Sequence, residues 1–299
     1  MDYISVFESL NCPYIENEPM SRHTTFKIGG PCDYLVEPEN IEVLKELILR
    51  LKENGLEYYI LGNGSNLLVS DLGISGAVIK IGSKLSEITL TDSNTISALA
   101  GAKLSSLCNF AYEQSINGFQ YLWGIPATVG GAIYMNAGAY GGDIKTVIKN
   151  CTFINNDGNI ETLSKEDLNL NYRESIFKSN GGIILSAEFE GAFGNKAQIR
   201  LEMDELMARR KAKQPLEWPS AGSTFKRPKD NYAGTLIESC GLKGFSVGDA
   251  MVSEKHAGFI INKGEATASD VRILIEKVKE KVFLTHSIKL ESEVIFIGR

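Results

Sequence analysis

Leu61-Gly62-Asn63-Gly64-Ser65-Asn66-Leu67-Leu68 is the stretch whose reading decides the fold. It follows a strand-like segment, Glu57 to Leu61, and sets small residues where a backbone can approach another group closely. Ser65 and Asn66 add side-chain donors. A second glycine-rich run follows: Gly124-Ile-Pro-Ala-Thr-Val-Gly-Gly-Ala-Ile-Tyr-Met-Asn-Ala-Gly-Ala-Tyr-Gly141. Two such runs point to a large, bent cofactor gripped from two sides. The competing readings are a plain strand-to-helix turn for the first run and tight packing of two chain segments for the second. The first run reads Gly-x-Gly-x-x-Leu, so the third glycine of the dinucleotide fingerprint is missing. No Gly-Lys pair occurs in the chain, which excludes a Walker phosphate loop. Amides in such a turn can still cradle a pyrophosphate.

At 299 residues the chain exceeds the usual size of a single core, and two or three domains are expected. Its 43% hydrophobic and 23% charged residues are ordinary for a soluble globular protein. A net charge of -6 and a pI of about 5.3 argue against nucleic-acid or membrane partners. Residues 1–20 lack a secretory signal, and no apolar stretch has the length of a bilayer span, so a cytoplasmic protein is expected. Cys12, Cys32, Cys108, Cys151 and Cys240 are dispersed with no CxxC spacing. They read as free thiols, not a disulfide frame or zinc site. His23, His256 and His286 lie far apart, so no metal site is expected.

Residues 1–22 read as a polar, loosely structured lead. Tyr34 to Glu37 follows as a short strand. Ile41 to Asn54 is a strong amphipathic helix, with Ile41, Leu44, Leu47, Ile48 and Leu51 on one stripe and Gly55 as its stop. Glu57 to Leu61 and Gly76 to Ile81 flank the first glycine run as strands. Leu85 to Leu90 and Thr95 to Ala100 are β-like, and Lys103 to Asn117 is helical. Val147 to Ile154 and Asn159 to Leu163 flank the hairpin signal Asn156-Asp157-Gly158. Gly182 to Glu190 is another strand, and Asn195 to Lys213 a helix. Asn231 to Cys240 is helical and Ala257 to Asn262 a strand. Thr267, with Asp270, caps a helix running to about Phe283. Ile288 to Ile297 is the last strand. These elements divide the chain into units at 1–80, 81–198 and 199–299.

Several side chains stand out. Arg173 and Ser175, in Tyr172-Arg-Glu-Ser175, share a face if the segment is extended; a solvated connector is the bland alternative. In Ala221-Gly-Ser-Thr-Phe-Lys-Arg-Pro228, Gly222 allows close approach to Ser223, and two cations precede the proline. Against overreading, a strand would point Ser223 and Lys226 to opposite faces. Glu293 lies in Leu290-Glu-Ser-Glu-Val-Ile-Phe-Ile297, where alternation sets it in line with Ile295 and Ile297. A carboxylate half hidden by its own strand needs a partner or a task. Arg209, Arg210, Lys211 and Lys213 suit a helix C-terminus. His256 reads as a hydrogen-bonded structural histidine.

In this order, the pieces resemble the UDP-N-acetylenolpyruvoylglucosamine reductase family, the flavoenzymes of peptidoglycan precursor synthesis. The resemblance runs from His23-Thr-Thr-Phe-Lys-Ile-Gly-Gly30 to the C-terminus. It takes in both glycine runs, Tyr172–Ser175, Gly222–Pro228, His256-Ala-Gly-Phe-Ile-Ile-Asn262 and Leu290–Val294. It implies an α+β fold: a two-part FAD-binding domain of the vanillyl-alcohol-oxidase (PCMH) type, plus a C-terminal α+β substrate domain. It also implies noncovalent FAD, reduced by NADPH as cosubstrate, and the enolpyruvyl ether of UDP-N-acetylglucosamine as hydride acceptor.

Carried onto matching positions, the resemblance makes Ser223 the proton donor and Arg173 the stabiliser of charge on the substrate carboxylate. Glu293 becomes the residue that helps polarise the enolate. Lys213 and Lys226 match substrate contacts, and Arg210 a position near the flavin. The expected cofactor contacts are Gly62, Asn63, Gly64, Ser65 and Asn66 in the first run. In the second they are Gly124, Pro126, Thr128, Gly130, Gly131, Ala132 and Asn136. The chain resembles the shorter form of the family, and a monomer is favoured. A sugar or lactone oxidase on the same fold, and a flavin- or nucleotide-binding module without catalysis or simply a packed α/β protein, are the alternatives.

Overall fold

The computed structural model describes residues 1–299. The chain forms two compact units. One comprises Met1–Ile15, Leu35–Asn63 and Gly76–Arg210; the other comprises Glu16–Tyr34, Gly64–Ser75 and Lys211–Arg299. No helix is long and apolar enough to cross a membrane.

In the first unit, five antiparallel strands run in the order Ile160–Ser164, Ile148–Ile154, Ile183–Glu190, Thr95–Leu99, Ile88–Asp92. The Asn156-Asp157-Gly158 hairpin forms where its turn chemistry demands. Asn155 Oδ1 accepts from the N–H groups of Asp157 and Asn159, each at 2.9 Å, and Gly158 adopts φ +82°. Tyr58–Leu61 pairs in parallel with Ala77–Lys80. The amphipathic helix spans Ile41–Glu53, capped by Asn40 Oδ1 on the Val43 N–H at 2.8 Å. It buries Leu44, Leu47, Ile48 and Leu51, as the periodicity requires.

The second unit closes on its own core. Helix Ala268–His286 packs Val271, Leu274, Ile275, Val278 and Val282 among Phe26, Leu68, Phe225, Ile237 and Val294. The capping box foreseen at Thr267 and Asp270 is present in both directions, a motif worth roughly 1 kcal/mol. Asp71 adds two further acceptors, for the N–H groups of Ala268 and Ser269. A three-stranded sheet, Ser246–Val247, Ala250–Val252, Ile260–Asn262, completes the unit with the parallel pair Leu67–Val69 and Ile295–Ile297.

Three expectations are corrected. The lead is not loose: Tyr3–Ser9 is a helix capped by Asp2, Val6 and Phe7 are fully buried, and Tyr14–Pro19 is a strand. Seven residues give too little periodicity to read against two nearby prolines. The first glycine run is no strand-to-helix turn; it leads from the strand Tyr58–Leu61 into the strand Leu67–Val69. The last strand is only Ile295–Ile297, with an isolated bridge at Ser292 and a bend at Val294. Alternation therefore does not extend back to Glu293.

All five cysteines are free, and four of them are buried. Burial pushes the Cys12 and Cys32 thiols up to about 11, and those of Cys108 and Cys151 further still. A thiol-specific reagent at pH 8 should therefore titrate Cys240 alone in the native protein and all five after denaturation. Rapid native reaction of a second thiol would contradict this burial.

Candidate active site

The first unit brings the two glycine runs together at Gly62 and Asn63. Asn63 Nδ2 donates to Pro126 O at 2.7 Å. A Cβ at Gly62 would lie 2.5 Å from Thr128 Oγ1, so any larger residue there would displace the Thr128 hydroxyl. Thr128 is 6% exposed and caps the short helix Val129–Tyr134, accepting from the Gly131 N–H at 3.3 Å. The Gly130 N–H is taken up by Ala100 O at 2.8 Å, and Ala132 is fully buried. Gly124 packs against Met207 and Arg210. Burial pulls the Arg210 guanidinium below its ordinary pKa, and Tyr140 works against that shift.

The rest of the first run belongs to the second unit. Gly64 (φ +60°) is pressed against the chain itself: a Cβ would stand 2.2 Å from His23 O, and Gly64 O accepts from the Thr25 N–H. Its glycine is thus required by a backbone crossing. No backbone carbonyl accepts from the N–H groups of Asn63, Gly64 and Ser65. In the first unit the Asn63 N–H, and in the second the Gly64 and Ser65 N–H groups, are thus free to donate, which fits residues that would hold the pyrophosphate of FAD. The side chain of Asn66 donates to Glu293 O at 3.1 Å.

Arg173 occupies a tight turn in the first unit with φ +57°, not an extended segment. It is half-buried; its guanidinium lies 5.1 Å over the Tyr172 ring, and Nη2 is 3.5 Å from Gly138 O. Ser175 does not share its face. It is buried and donates to Tyr134 O at 2.8 Å. Asn136 is 1% exposed, and its side chain is bonded to Asp143, Asn171 and Lys145. It braces the Arg173 turn from behind the second glycine run.

In the second unit the segments carrying Ser223 and Glu293 run side by side. The Glu293 N–H donates to Thr224 O at 2.8 Å, the Lys226 N–H donates to Glu291 O at 2.8 Å, and Phe225 bridges Ser292. Thr224, 1% exposed, also donates to Gly258 O at 2.8 Å and accepts from the Ile260 N–H on Oγ1 at 3.0 Å. Ser223 and Glu293 are each half-buried. Bends at Gly222 and Thr224 replace the strand in which Ser223 and Lys226 were to point apart. Lys226 pairs with Glu291 at 3.2 Å, and Lys213 is exposed at the end of helix Lys196–Lys213. His256 Nδ1 accepts from the Gly258 N–H at 3.1 Å, and burial lowers its pKa, which suits a neutral structural imidazole.

Thr224 and the bracing role of Asn136 were missed in the sequence. A threonine inside a glycine–serine run carries no periodic signal. Asn136 did carry one: asparagine in a glycine-rich segment marks a left-handed position, and φ there is +40°.

Glycine runs that meet over Thr128, with amides on offer beside them, define a flavin-dinucleotide-binding protein. The profile of the FAD binding domain family matches residues 32–164, and that of the UDP-N-acetylenolpyruvoylglucosamine reductase C-terminal domain matches residues 214–297. A UDP-N-acetylenolpyruvoylglucosamine reductase of Agathobacter rectalis is 49% identical over 295 residues, 95% of this chain and 94% of that one. One from Clostridium botulinum is 47% identical over 299 residues, 99% of this chain and 97% of that one. The crystal structure of UDP-N-acetylenolpyruvylglucosamine reductase from Thermus caldophilus superimposes with a TM-score of 0.82 at 34% identity. It covers 95% of this chain and 98% of its own. The chain belongs to the UDP-N-acetylenolpyruvoylglucosamine reductase family. Its fold is the expected α+β architecture, an FAD-binding domain followed by the C-terminal domain of that family.

Gly64→Val should cost the apo-protein roughly 2–4 kcal/mol through left-handed strain and overpacking, and should abolish FAD retention. Thermal unfolding of the apo-protein and flavin absorbance after gel filtration read the two effects. An unchanged apo melting temperature would contradict the crossing at His23.

Proposed function

We infer that this protein reduces the enolpyruvyl ether of UDP-N-acetylglucosamine to UDP-N-acetylmuramate, a step of peptidoglycan precursor synthesis, with FAD as carrier and NADPH as electron donor. The observation that carries the reading is the side-by-side run of the Ser223 and Glu293 segments, joined at Thr224, in a chain whose other unit holds the two glycine runs together. When bound, FAD would supply the hydride chemistry between NADPH and the vinyl terminal carbon of the substrate.

The protein's own residues do the rest. Gly62, Asn63, Gly64, Ser65 and Asn66 would hold the cofactor, as would Gly124, Pro126, Thr128, Gly130, Gly131 and Ala132, and Arg210 would lie near the flavin. The bond is noncovalent: neither glycine run contains a histidine or cysteine to tether the ring. Hydride addition leaves negative charge on the carbon that bears the carboxylate, and Ser223 Oγ–H protonates it. A serine is a poor acid toward water, but a carbanion is a base strong enough to take its proton. Arg173 stabilises the charge spreading onto the carboxylate, and Glu293 helps polarise the enolate. Lys213 and Lys226 contact the substrate. As a functional division, 1–80 and 81–198 are the two parts for FAD and 199–299 the part for the substrate, while Glu16–Tyr34 and Gly64–Ser75 pack in the compact unit that holds Lys211–Arg299.

A nucleotide sugar is the partner, with no nucleic acid and no membrane; the net charge of -6 agrees with a small-molecule enzyme. The protein works in the cytoplasm, as a monomer.

An anaerobic titration followed by flavin absorbance tests the reading. NADPH should bleach the purified yellow protein, and the enolpyruvyl ether should restore the colour far faster than oxygen does. A flavin that oxygen reoxidises while the ether does not would make it another FAD oxidoreductase, and a colourless protein would point to a binding module.

A further inference from the structure

Asn136 is the buried end of a bond network that reaches the Arg173 turn. Its two amide hydrogens diverge: one goes to Asp143 Oδ2 at 3.0 Å and the other to Asn171 O at 2.9 Å. Its Oδ1 accepts from the Lys145 N–H at 3.0 Å. Asn171 O is a corner of the turn that contains Arg173. It also accepts from the Glu174 N–H, and the Asn171 N–H donates back to Glu174 O, both at 3.1 Å. Two further bonds join the same two segments: Ser175 Oγ to Tyr134 O at 2.8 Å, and Lys145 Nζ to Leu170 O at 3.0 Å. The turn is therefore hung from Tyr134–Lys145, the end of the second glycine run and the residues just after it.

A left-handed arginine persists only where its surroundings over-determine it. At φ +57°, Arg173 meets that condition through these bonds. Resting on the reading of Arg173 given above, we propose that Asn136 is the positioning residue for Arg173, setting through the Asn171 carbonyl where the guanidinium meets the substrate carboxylate. Only asparagine supplies this set. Aspartate has no hydrogens for Asn171 O and would set a second carboxylate beside Asp143. Alanine makes none of the bonds. Glycine keeps the left-handed backbone but leaves the turn without its tie.

Stopped-flow half-reactions of the FAD-loaded enzyme test this. Two variants are compared: Asn136→Gly, and the exchange Asn136→Asp with Asp143→Asn. The exchange preserves a hydrogen bond between the two positions but removes the side-chain donor to Asn171 O, leaving it only the Glu174 N–H. In both, reoxidation by the enolpyruvyl ether should slow on the order of 10–100-fold, as displacement of a positioned group does, while FAD reduction by NADPH stays within about twofold. In an Arg173→Ala background the same changes should add less than about twofold, because the residue they position is gone.

Full-speed reoxidation in both variants would overturn the proposal. So would a slowing that persists undiminished in the Arg173→Ala background, which marks a general structural effect. Loss of FAD from both variants would assign Asn136 to the cofactor or the fold instead. An Arg173→Ala enzyme with unimpaired reoxidation would remove the underlying role of Arg173 itself, a failure distinct from the others.

Discussion

One backbone hydrogen bond, from the Glu293 N–H to Thr224 O at 2.8 Å, ties the segment of Ser223, the proposed proton donor, to that of Glu293. A serine hydroxyl becomes a useful acid only when it is held against the carbon it must protonate. Precision of placement therefore matters more here than intrinsic acidity. Thr224 supplies that precision with three bonds, to Gly258, Ile260 and Glu293, while almost wholly buried. Asn66 adds a fourth constraint by donating to Glu293 O, so the first glycine run reaches the glutamate directly. Breaking any of these would leave a buried polar group unpaired at a cost of about 1–3 kcal/mol.

The first unit uses the same economy. Its glycines sit where the chain approaches itself closely: Gly62 at the Thr128 hydroxyl, and Gly130 at Ala100. The Gly62–Thr128 approach and the Asn63–Pro126 bond fix the two runs against each other, and the N–H groups of the first run are left over as donors. Arg173 is treated likewise, in a strained turn whose neighbours hold it. Ligand contacts and chain packing are thus not rival explanations of the glycines, since the packing shapes the surface that a ligand meets.

Elements with long periodic signals were legible. The helix from Ile41, the helix capped by Thr267 and Asp270, and the hairpin at Asn156–Gly158 appear close to where their patterns put them. Each depends on local chemistry that the chain carries within a few residues. The short helix Tyr3–Ser9 and the strand Leu67–Val69 were not legible, because each draws its stability from distant partners. The environment of Glu293 was misread for the same reason: the bend at Val294 follows from parallel pairing with Leu67–Val69, which no alternation rule contains. Motif order led to the family, but only coordinates gave Arg173 its left-handed turn and Thr224 its bonds.

The central claim is that the hydroxyl of Ser223 quenches the carbanion. The most direct measurement is single-turnover reoxidation of anaerobically reduced Ser223→Ala enzyme by the enolpyruvyl ether. The account expects reduction by NADPH at the unmodified rate and reoxidation slower on the order of 10²–10⁴-fold, the usual worth of a positioned general acid. Reoxidation at the unmodified rate would contradict it.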